Sequence, residues 1–125
     1  AKTDNKYILL LFVMNLSRAC EEFYKITLND EDVVNIMNKR FYCVEINVSK
    51  NDLIKYNNGY ITGKNLATKY FVSKCPKIWF LDPQEQRVNT FAEVSLPSKF
   101  KLVLKYVYTG SYEVMGWQDF MNENK

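Results

Sequence analysis

The sequence predicts an α/β domain in which helices flank a central mixed β-sheet. A continuous apolar run over Tyr7–Val13 is typical of a central strand buried on both faces. Two helical segments and an alternating segment over residues 42–48 follow it, which is the order of a parallel β-α-β unit. Two later short apolar segments joined by a turn predict an antiparallel hairpin, so the sheet is expected to be mixed.

Length and composition indicate one folded domain spanning residues 1–125. A chain of 125 residues has the usual size of a single domain. A hydrophobic content of 47% with a net charge of only +3 excludes a largely disordered chain. The longest apolar run, residues 7–14, is too short to cross a bilayer as a helix, which needs roughly 20 residues.

The segment between the first two predicted strands has the pattern of two helices. Residues 15–17 break the apolar run, and Ser17 supplies a residue that favours a helix start. Residues 19–28 then carry apolar side chains at helical spacing, with two glutamates in the first turn where the helix dipole favours them. Asn29 or Asp30 can cap a second helix, which leads into the strand over residues 42–48.

The second half of the chain predicts a loop, a helix, the hairpin and two further helices. Residues 49–61 are polar and contain the turn signal Asn57-Asn58-Gly59, so we expect a loop. Thr62 can cap a helix, and strands are expected over residues 77–81 and 87–91 around a turn over 82–86. A helix beginning at Ser95-Leu96-Pro97 and a short one over residues 112–121 complete the chain. The apolar face predicted for the helix capped by Thr62 consists of Leu66, Ala67, Tyr70 and Phe71. For the helix that begins at Ser95-Leu96-Pro97, the predicted apolar face consists of Leu96, Phe100, Val103, Leu104 and Val107.

The basic residues give no indication of nucleic-acid binding. The nearest approach to a cluster is Lys99, Lys101 and Lys105, which the spacing places on one solvated helix face. Nucleic-acid-binding domains usually carry a more one-sided charge, and the many aromatic residues sit at core-like spacings. The sequence therefore predicts no nucleic-acid partner.

Three cysteines and the absence of histidine restrict the chemistry that this chain can perform. An odd number of cysteines leaves at least one thiol unpaired in a monomer, and three are too few for a disulfide-stabilised small fold. Without histidine, neither a Ser-His-Asp nor a Cys-His site can form. We predict no metal site and no cofactor. Cys43, within the alternating strand, is expected to be a small core residue.

These elements resemble the thioredoxin superfamily over nearly the whole chain, and in particular bacterial exported thioredoxin-related proteins, including those of sulfur-oxidation systems. Residues 6–12 are similar to the family's first core strand, and residues 20–23 to its second active-site cysteine and the helix that starts there. The most specific match covers residues 62–72 and 75–82, which resemble a helix, the cis-proline loop and the following strand. The resemblance implies a thioredoxin-like fold, a cis bond before Pro76, and exchange with the thiols or disulfides of partner proteins.

The family's C-x-x-C redox motif is altered in this chain. The aligned residues are Ser17-Arg18-Ala19-Cys20, so serine stands at the position of the attacking cysteine. A serine hydroxyl stays protonated at neutral pH, and no histidine is present to activate it, so ordinary dithiol exchange through this motif is excluded. Ser17 is either natural, giving a degenerate S-x-x-C site, or an engineered replacement in a C-x-x-C enzyme. It is also a good helix N-cap.

A cysteine before the loop proline indicates a relocated redox pair. The family commonly has threonine or a β-branched residue there, and the resemblance implies that Cys75 lies close to Ser17 and Cys20. Our hypothesis is that Cys20 and Cys75 cycle between dithiol and disulfide, which requires Cα atoms within about 4.4–6.8 Å. The alternatives are that Cys20 is a shielded, inert helix residue and that Cys75 merely fills the loop.

The resemblance also implies a groove for an extended peptide along the cis-proline loop. Pro76 would shape this groove, and Lys74 and Leu16 would border it. Arg18 either favours a nearby thiolate or is simply solvated. The predicted function is that of a thiol–disulfide oxidoreductase-type protein with an altered active site. The alternative is a non-catalytic binding module that recognises a partner protein through the same groove.

The chain begins at Ala1 without an initiator methionine or a signal-type segment. This is compatible with a processed exported protein and with a trimmed chain. Together with the resemblance, it leads us to expect a periplasmic protein, with a cytoplasmic one as the alternative. The oligomeric state stays open, because three cysteines also permit a disulfide between molecules.

Overall fold

The computed structural model describes residues 5–56, 59–91 and 96–124. The strands within these residues are β1 (Tyr7–Val13), β2 (Phe41–Asn47), β3 (Leu53–Tyr56), β4 (Gly59–Thr62), β5 (Lys77–Leu81) and β6 (Arg87–Phe91). Four of them form one sheet in the order β2-β1-β5-β6, and β3 pairs with β4 separately. Because β1 pairs in parallel with β2 and antiparallel with β5, the predicted mixed sheet is confirmed.

Helices lie between the strands much as the sequence pattern predicts. They are α1 (Arg18–Glu22), α2 (Glu31–Arg40), α3 (Gly63–Lys69), α4 (Pro97–Tyr108) and α5 (Trp117–Glu123). A π-helical turn, Phe23–Thr27, extends α1, and a 3-10 turn, Ser111–Glu113, precedes α5. The single helix predicted over residues 112–121 is therefore wrong in detail, because the chain makes a turn before α5 begins.

Side-chain caps fix the starts of two helices where the sequence predicts them. A carboxylate oxygen of Asp30 accepts a hydrogen bond from the Val33 N–H at 3.0 Å. The hydroxyl of Thr62 accepts one from the Asn65 N–H at 3.2 Å. Each bond satisfies a main-chain donor that has no partner within the helix.

The buried residues form two clusters, one on each face of the sheet. Alternate residues of a strand point to opposite faces, so Leu9 and Leu11 join one cluster while Leu10 and Phe12 join the other. The first cluster packs β1 and β5 against α1, α2 and α4 through Cys20, Phe23, Val33, Phe100 and Leu104. The second packs the sheet against α3 through Leu66, Ala67 and Tyr70.

The expected loop over residues 49–61 is wrong, because it contains a β-hairpin. Strands β3 and β4 pair antiparallel from Leu53 opposite Thr62 to Tyr56 opposite Gly59. Part of the predicted turn, Asn57-Asn58, lies outside the described residues, as does Ser95 before α4. The hairpin leads directly into α3, so it extends the cover over one face of the sheet.

Three residues expected in the core are exposed. Phe71 follows α3 with a left-handed φ of 57° and is 75% exposed, because the helix ends before its side chain can join the apolar face. Leu96 is the N-cap residue of α4 and is 66% exposed. Cys43 is exposed because β2 is a terminal strand of the sheet. None of the helices among the described residues is long and apolar enough to cross a membrane.

Candidate functional site

The segment after β1 turns sharply before α1 begins. Leu16 has a left-handed φ of 56°, a conformation that is strained for a residue with a side chain. Its side chain is fully exposed, so no packing contact holds it in this position. Residues held in strained backbone conformations cluster at functional sites, so this turn is a candidate part of such a site.

Ser17 caps the helix that Cys20 belongs to. The Ser17 hydroxyl oxygen lies 3.2 Å from the Cys20 main-chain nitrogen and accepts its hydrogen bond. The Ser17 carbonyl accepts a second hydrogen bond, from the Glu21 N–H at 3.1 Å. The N-terminus of the helix therefore directs a donor at the side-chain oxygen of residue 17, where a cysteine sulfur would receive it.

Cys20 itself points inward. It is 4% exposed and belongs to the apolar cluster that includes Phe23 and Phe100. A thiol so enclosed is shielded from direct attack by a bulky partner. Any exchange at Cys20 therefore needs a second sulfur that solvent can reach.

The sheet register brings the Cys75–Pro76 loop to the same end of β1. Phe12, near the end of β1, pairs with Lys77, the first residue of the antiparallel strand β5. The residues just before Lys77 therefore lie where β1 gives way to the turn at Leu16. The Cys75–Pro76 peptide bond is cis, and Pro76 is buried while Cys75 is half-buried.

Cys75 lies close to Cys20. It packs against the apolar cluster that contains Cys20 and also contacts the cluster on the other face of the sheet. Burial raises the pKa of the Cys75 thiol to about 11, and the negative charge of a Cys20 thiolate contributes to the increase. Cys20, Cys43 and Cys75 are all free thiols.

The other predicted site residues lie on the surface around these sulfurs. Arg18 and Lys74 are exposed, and neither side chain makes a hydrogen bond or ion pair with the rest of the described chain. Trp79, two residues after Lys77, is half-buried, and its indole N–H donates to the Tyr70 carbonyl at 2.9 Å. The Lys77 ammonium donates to the Phe71 carbonyl at 3.3 Å, which ties the end of α3 to the start of β5.

A polar network that was not predicted borders the turn before α1. The Asn47 side-chain amide donates to the Asn15 side-chain oxygen at 2.9 Å, and the Asn15 N–H donates to the Ser49 hydroxyl at 3.0 Å. The Ser49 N–H in turn donates to the Asn47 side-chain oxygen at 2.8 Å. The sequence does contain a signal for this network, namely polar residues close to the ends of two parallel strands. Such strands end at the same edge of a sheet, so these polar side chains are expected to lie near one another.

Metal ligands are not grouped in the described part of the chain. No cluster of three or more cysteine, aspartate or glutamate side chains that could hold a metal ion occurs there.

A mixed four-stranded sheet in the order β2-β1-β5-β6, covered on both faces by helices, is the arrangement of the thioredoxin-like class of fold. The model of the thioredoxin-like domain family matches residues 1–108, and the chain belongs to this family. A comparison with curated protein sequences gave no match.

Solved structures show the same fold. A thioredoxin-fold protein from Helicobacter pylori matches with a TM-score of 0.78 and 21% identity, over 97% of this chain and 80% of that one. A thioredoxin from Thermus thermophilus matches with a TM-score of 0.70 and 20% identity, over 86% of this chain and 77% of that one. A DsbH oxidoreductase has a TM-score of 0.70 and 16% identity, over 86% of this chain and 76% of that one.

Proposed function

We propose that this chain is a thiol–disulfide exchange protein that uses Cys20 and Cys75 in place of a C-x-x-C pair. The observation that carries the proposal is the packing of Cys75, on the cis-proline loop, against the cluster that encloses Cys20. The exchange chemistry needs two sulfurs close enough to bond, and one of them must be reachable. Cys75 is the accessible sulfur and Cys20 the shielded one.

The proposed exchange starts from the oxidised pair. A partner thiolate attacks the Cys75 sulfur, a mixed disulfide forms, and the Cys75–Cys20 bond breaks with Cys20 leaving as a thiolate that takes up a proton. A second thiol of the partner, as its thiolate, then attacks the mixed disulfide and releases Cys75. The partner dithiol loses two electrons and two protons, and the Cys20–Cys75 pair gains them. The reverse sequence reduces a partner disulfide.

The surrounding residues would bind the partner. Pro76 shapes the loop, and the exposed Leu16 offers apolar surface on the side of the site where α1 begins. Arg18 and Lys74, which are both exposed, would add positive charge to this surface and so attract an incoming thiolate. Ser17 occupies the position of the family's attacking cysteine, and its part here is to cap the helix.

Controlled oxidation tests this proposal directly. The protein is equilibrated with graded mixtures of reduced and oxidised glutathione, alkylated and digested, and the fragments are identified by mass spectrometry. We expect a fragment in which Cys20 and Cys75 are linked, and the same fragment in a Cys43→Ala variant. Persistence of three free thiols across the whole range, or a mixed disulfide at Cys75 alone, would contradict the relocated pair.

A second candidate function, a binding module without redox turnover, is favoured by one observation. Burial raises the pKa of Cys75 to about 11, so at neutral pH very little of this thiol is the reactive thiolate. The groove around Pro76 would then bind a partner without exchange. Insulin reduction separates the two functions: activity that Cys75→Ser abolishes supports exchange, whereas inactivity with retained partner binding supports the module.

We also propose that the protein works in the bacterial periplasm. The support is the resemblance to exported thioredoxin-related proteins, including those of sulfur-oxidation systems, and the chemistry of the pair. A disulfide persists in an oxidising compartment and is reduced in the cytosol. Expression with and without an export signal, followed by trapping of thiols in the intact cells, should give the linked fragment only in the exported protein.

A further inference from the structure

The segment over residues 71–77, which joins α3 to β5, begins with a turn that ends the helix. The Val72 N–H donates to the Ala67 carbonyl at 2.8 Å, and the Phe71 N–H donates to the Thr68 carbonyl at 3.2 Å. This pair of bonds is the Schellman arrangement, in which the residue after the helix end is left-handed and is usually glycine. Here that residue is Phe71, with a φ of 57°.

Each of the next three carbonyls, those of residues 69–71, accepts a hydrogen bond from a side chain of β5 or β6. The donors are, in that order, the Arg87 guanidinium at 2.9 Å, the Trp79 indole N–H at 2.9 Å and the Lys77 ammonium at 3.3 Å. A helix leaves its last carbonyls without partners inside the helix, so these donors supply partners from outside it. Two of the donors are cations, which the partial negative charge at a helix C-terminus also favours.

Aromatic rings hold the two cationic donors in place. The Arg87 guanidinium carbon lies 4.2 Å from the ring centre of Tyr70 and 5.4 Å from that of Trp79. The Lys77 ammonium lies 5.9 Å from the Trp79 ring centre. The rings of Tyr70 and Trp79 meet edge to face with their centres 5.8 Å apart. Because aromatic faces attract cations, this packing restricts both donors to positions near the carbonyls.

Lys77 connects the two ends of the segment that carries Cys75. Its main chain pairs with Phe12 of β1, and its ammonium bonds to the Phe71 carbonyl at the end of α3. Only residues 72–76 lie between these two ties. Fixing both ends of so short a segment removes most of the conformations that it could otherwise adopt. The position of the Cys75 sulfur therefore depends on the bonds at the end of α3.

We propose that Lys77, Trp79 and Arg87 are positioning residues, which hold the Cys75 sulfur against Cys20 through their bonds to the end of α3. This inference rests on the proposed exchange function. A disulfide requires Cα atoms within about 4.4–6.8 Å and Cβ atoms that face each other, so a small displacement of the segment separates the two sulfurs. The three side chains take no part in the exchange itself. They raise the effective concentration of one sulfur at the other.

Variants of Lys77 test the positioning in the reduced protein. Lys77→Met removes the donor and keeps a long side chain, and Lys77→Arg keeps a donor. Iodoacetamide alkylation of Cys75, followed by peptide mapping, is the measurement. We expect Lys77→Met to be alkylated at least about fivefold faster than the parent chain, because the half-buried sulfur becomes accessible. Lys77→Arg should restore the parent rate, and Lys64→Met, at an exposed lysine of α3, should leave it unchanged.

The direction of this change separates positioning from a charge effect. Loss of a cation two residues from Cys75 disfavours the thiolate, so a purely electrostatic role of Lys77 predicts slower alkylation. A slower or unchanged rate in Lys77→Met would overturn the inference.

Equilibration with glutathione tests the connection to exchange. The fraction of protein with Cys20 linked to Cys75 gives the effective concentration of one thiol at the other. We expect Lys77→Met, Trp79→Phe and Arg87→Met each to lower it at least about tenfold, or about 1.4 kcal/mol. Equal values in the parent chain and all three variants would contradict the inference while leaving the exchange function intact. Absence of the linked fragment from the parent chain would contradict the exchange function, and the alkylation rates, which need no linkage, would still decide the positioning.

Phe71→Gly distinguishes positioning from a merely structural role. Glycine relieves the left-handed strain at this position and leaves the three donors and their carbonyls in place. We expect an equal or higher Tm with an unchanged effective concentration, whereas Lys77→Met should lower the effective concentration at temperatures where it is fully folded. An effective concentration that simply followed Tm across the variants would make the three side chains structural and would refute the proposal.

Discussion

The side-chain oxygen of Ser17 accepts a hydrogen bond from the main-chain N–H of Cys20 at 3.2 Å. The donor belongs to the start of a helix, where the N–H groups also carry a partial positive charge. A neutral hydroxyl uses this donor as a cap. If a cysteine stood at position 17, the same N–H would stabilise its thiolate. Exchange of the side-chain oxygen for sulfur would therefore change the role of residue 17 from capping the helix to reacting as a nucleophile.

Replacing Ser17 by cysteine should therefore create a reactive thiol. The Cys20 N–H would stabilise the new thiolate, and its pKa should fall below the ordinary value of about 8.5. We expect rapid alkylation at neutral pH and insulin reduction well above that of the parent chain. The control is Ser73→Cys, an exposed residue outside any helix start. Equal alkylation rates of the two variants would show that the helix start does not activate position 17.

The reactivity of Cys75 should increase steeply with pH. Since its pKa is raised to about 11, mainly by burial and further by Cys20, the thiolate fraction grows about tenfold per pH unit from pH 7 to pH 10. Iodoacetamide alkylation followed by peptide mapping measures this rate for Cys75 alone. We expect no plateau below pH 10. In Cys20→Ala the pKa of Cys75 should fall but stay above its ordinary value, because burial is the larger cause. A plateau near pH 8 would contradict the burial of the sulfur.

Glycine at Leu16 should stabilise the protein and impair its function. Leu16 and Glu85 both have left-handed φ values, 56° and 67°, and glycine relieves this strain. Each substitution should raise the free energy of unfolding by up to about 1 kcal/mol, seen as a small increase in Tm. Only Leu16→Gly should also lower kcat/KM for a protein disulfide, since Leu16 directly precedes Ser17 at the proposed site whereas Glu85 lies in the turn between β5 and β6. A loss of activity in Glu85→Gly of the same size would argue against a binding role for Leu16.

Alanine at Gly63 should destabilise the fold. A Cβ atom there would lie 2.4 Å from the Asn47 carbonyl oxygen, which belongs to the main chain and cannot move aside freely. We expect a loss of at least about 1–3 kcal/mol in urea unfolding. Gly59→Ala is the matched control, because no atom lies within 4 Å of its added Cβ, and its effect should be within about 0.5 kcal/mol. Equal stabilities would show that β2 and α3 separate easily.

Much of the fold follows from local patterns, and its exceptions have tertiary causes. The apolar run of β1 and the caps at Asp30 and Thr62 are short-range signals, and they place the strand and both helices correctly. The hairpin β3–β4 was missed because its four-residue strands are half exposed and lie between polar residues. Cys43 was placed in the core because alternation alone does not say which strand is terminal.

Some features of the candidate site likewise follow from local sequence, and others depend on tertiary packing. The position of Ser17 relative to Cys20 is a local spacing, and the sequence contains it. The exposure of Leu16 and the burial of Cys20 depend on how α1 packs against the rest of the chain, which no local pattern encodes. The nearness of Cys75 depends on the register between Phe12 and Lys77, and the sequence indicated it only through the family resemblance.

The pairing of β1 with β5 also makes the meeting of the two sulfurs a long-range contact. Cys20 and Cys75 are separated in sequence by α2, β2, the hairpin and α3, so their approach depends on this non-local strand pair. A bond between them would close a long loop of the unfolded chain, and chain entropy alone would add about 4 kcal/mol to stability. Thermal stability would then depend on the redox potential of the surroundings, with the oxidised protein surviving heat at which the reduced protein unfolds.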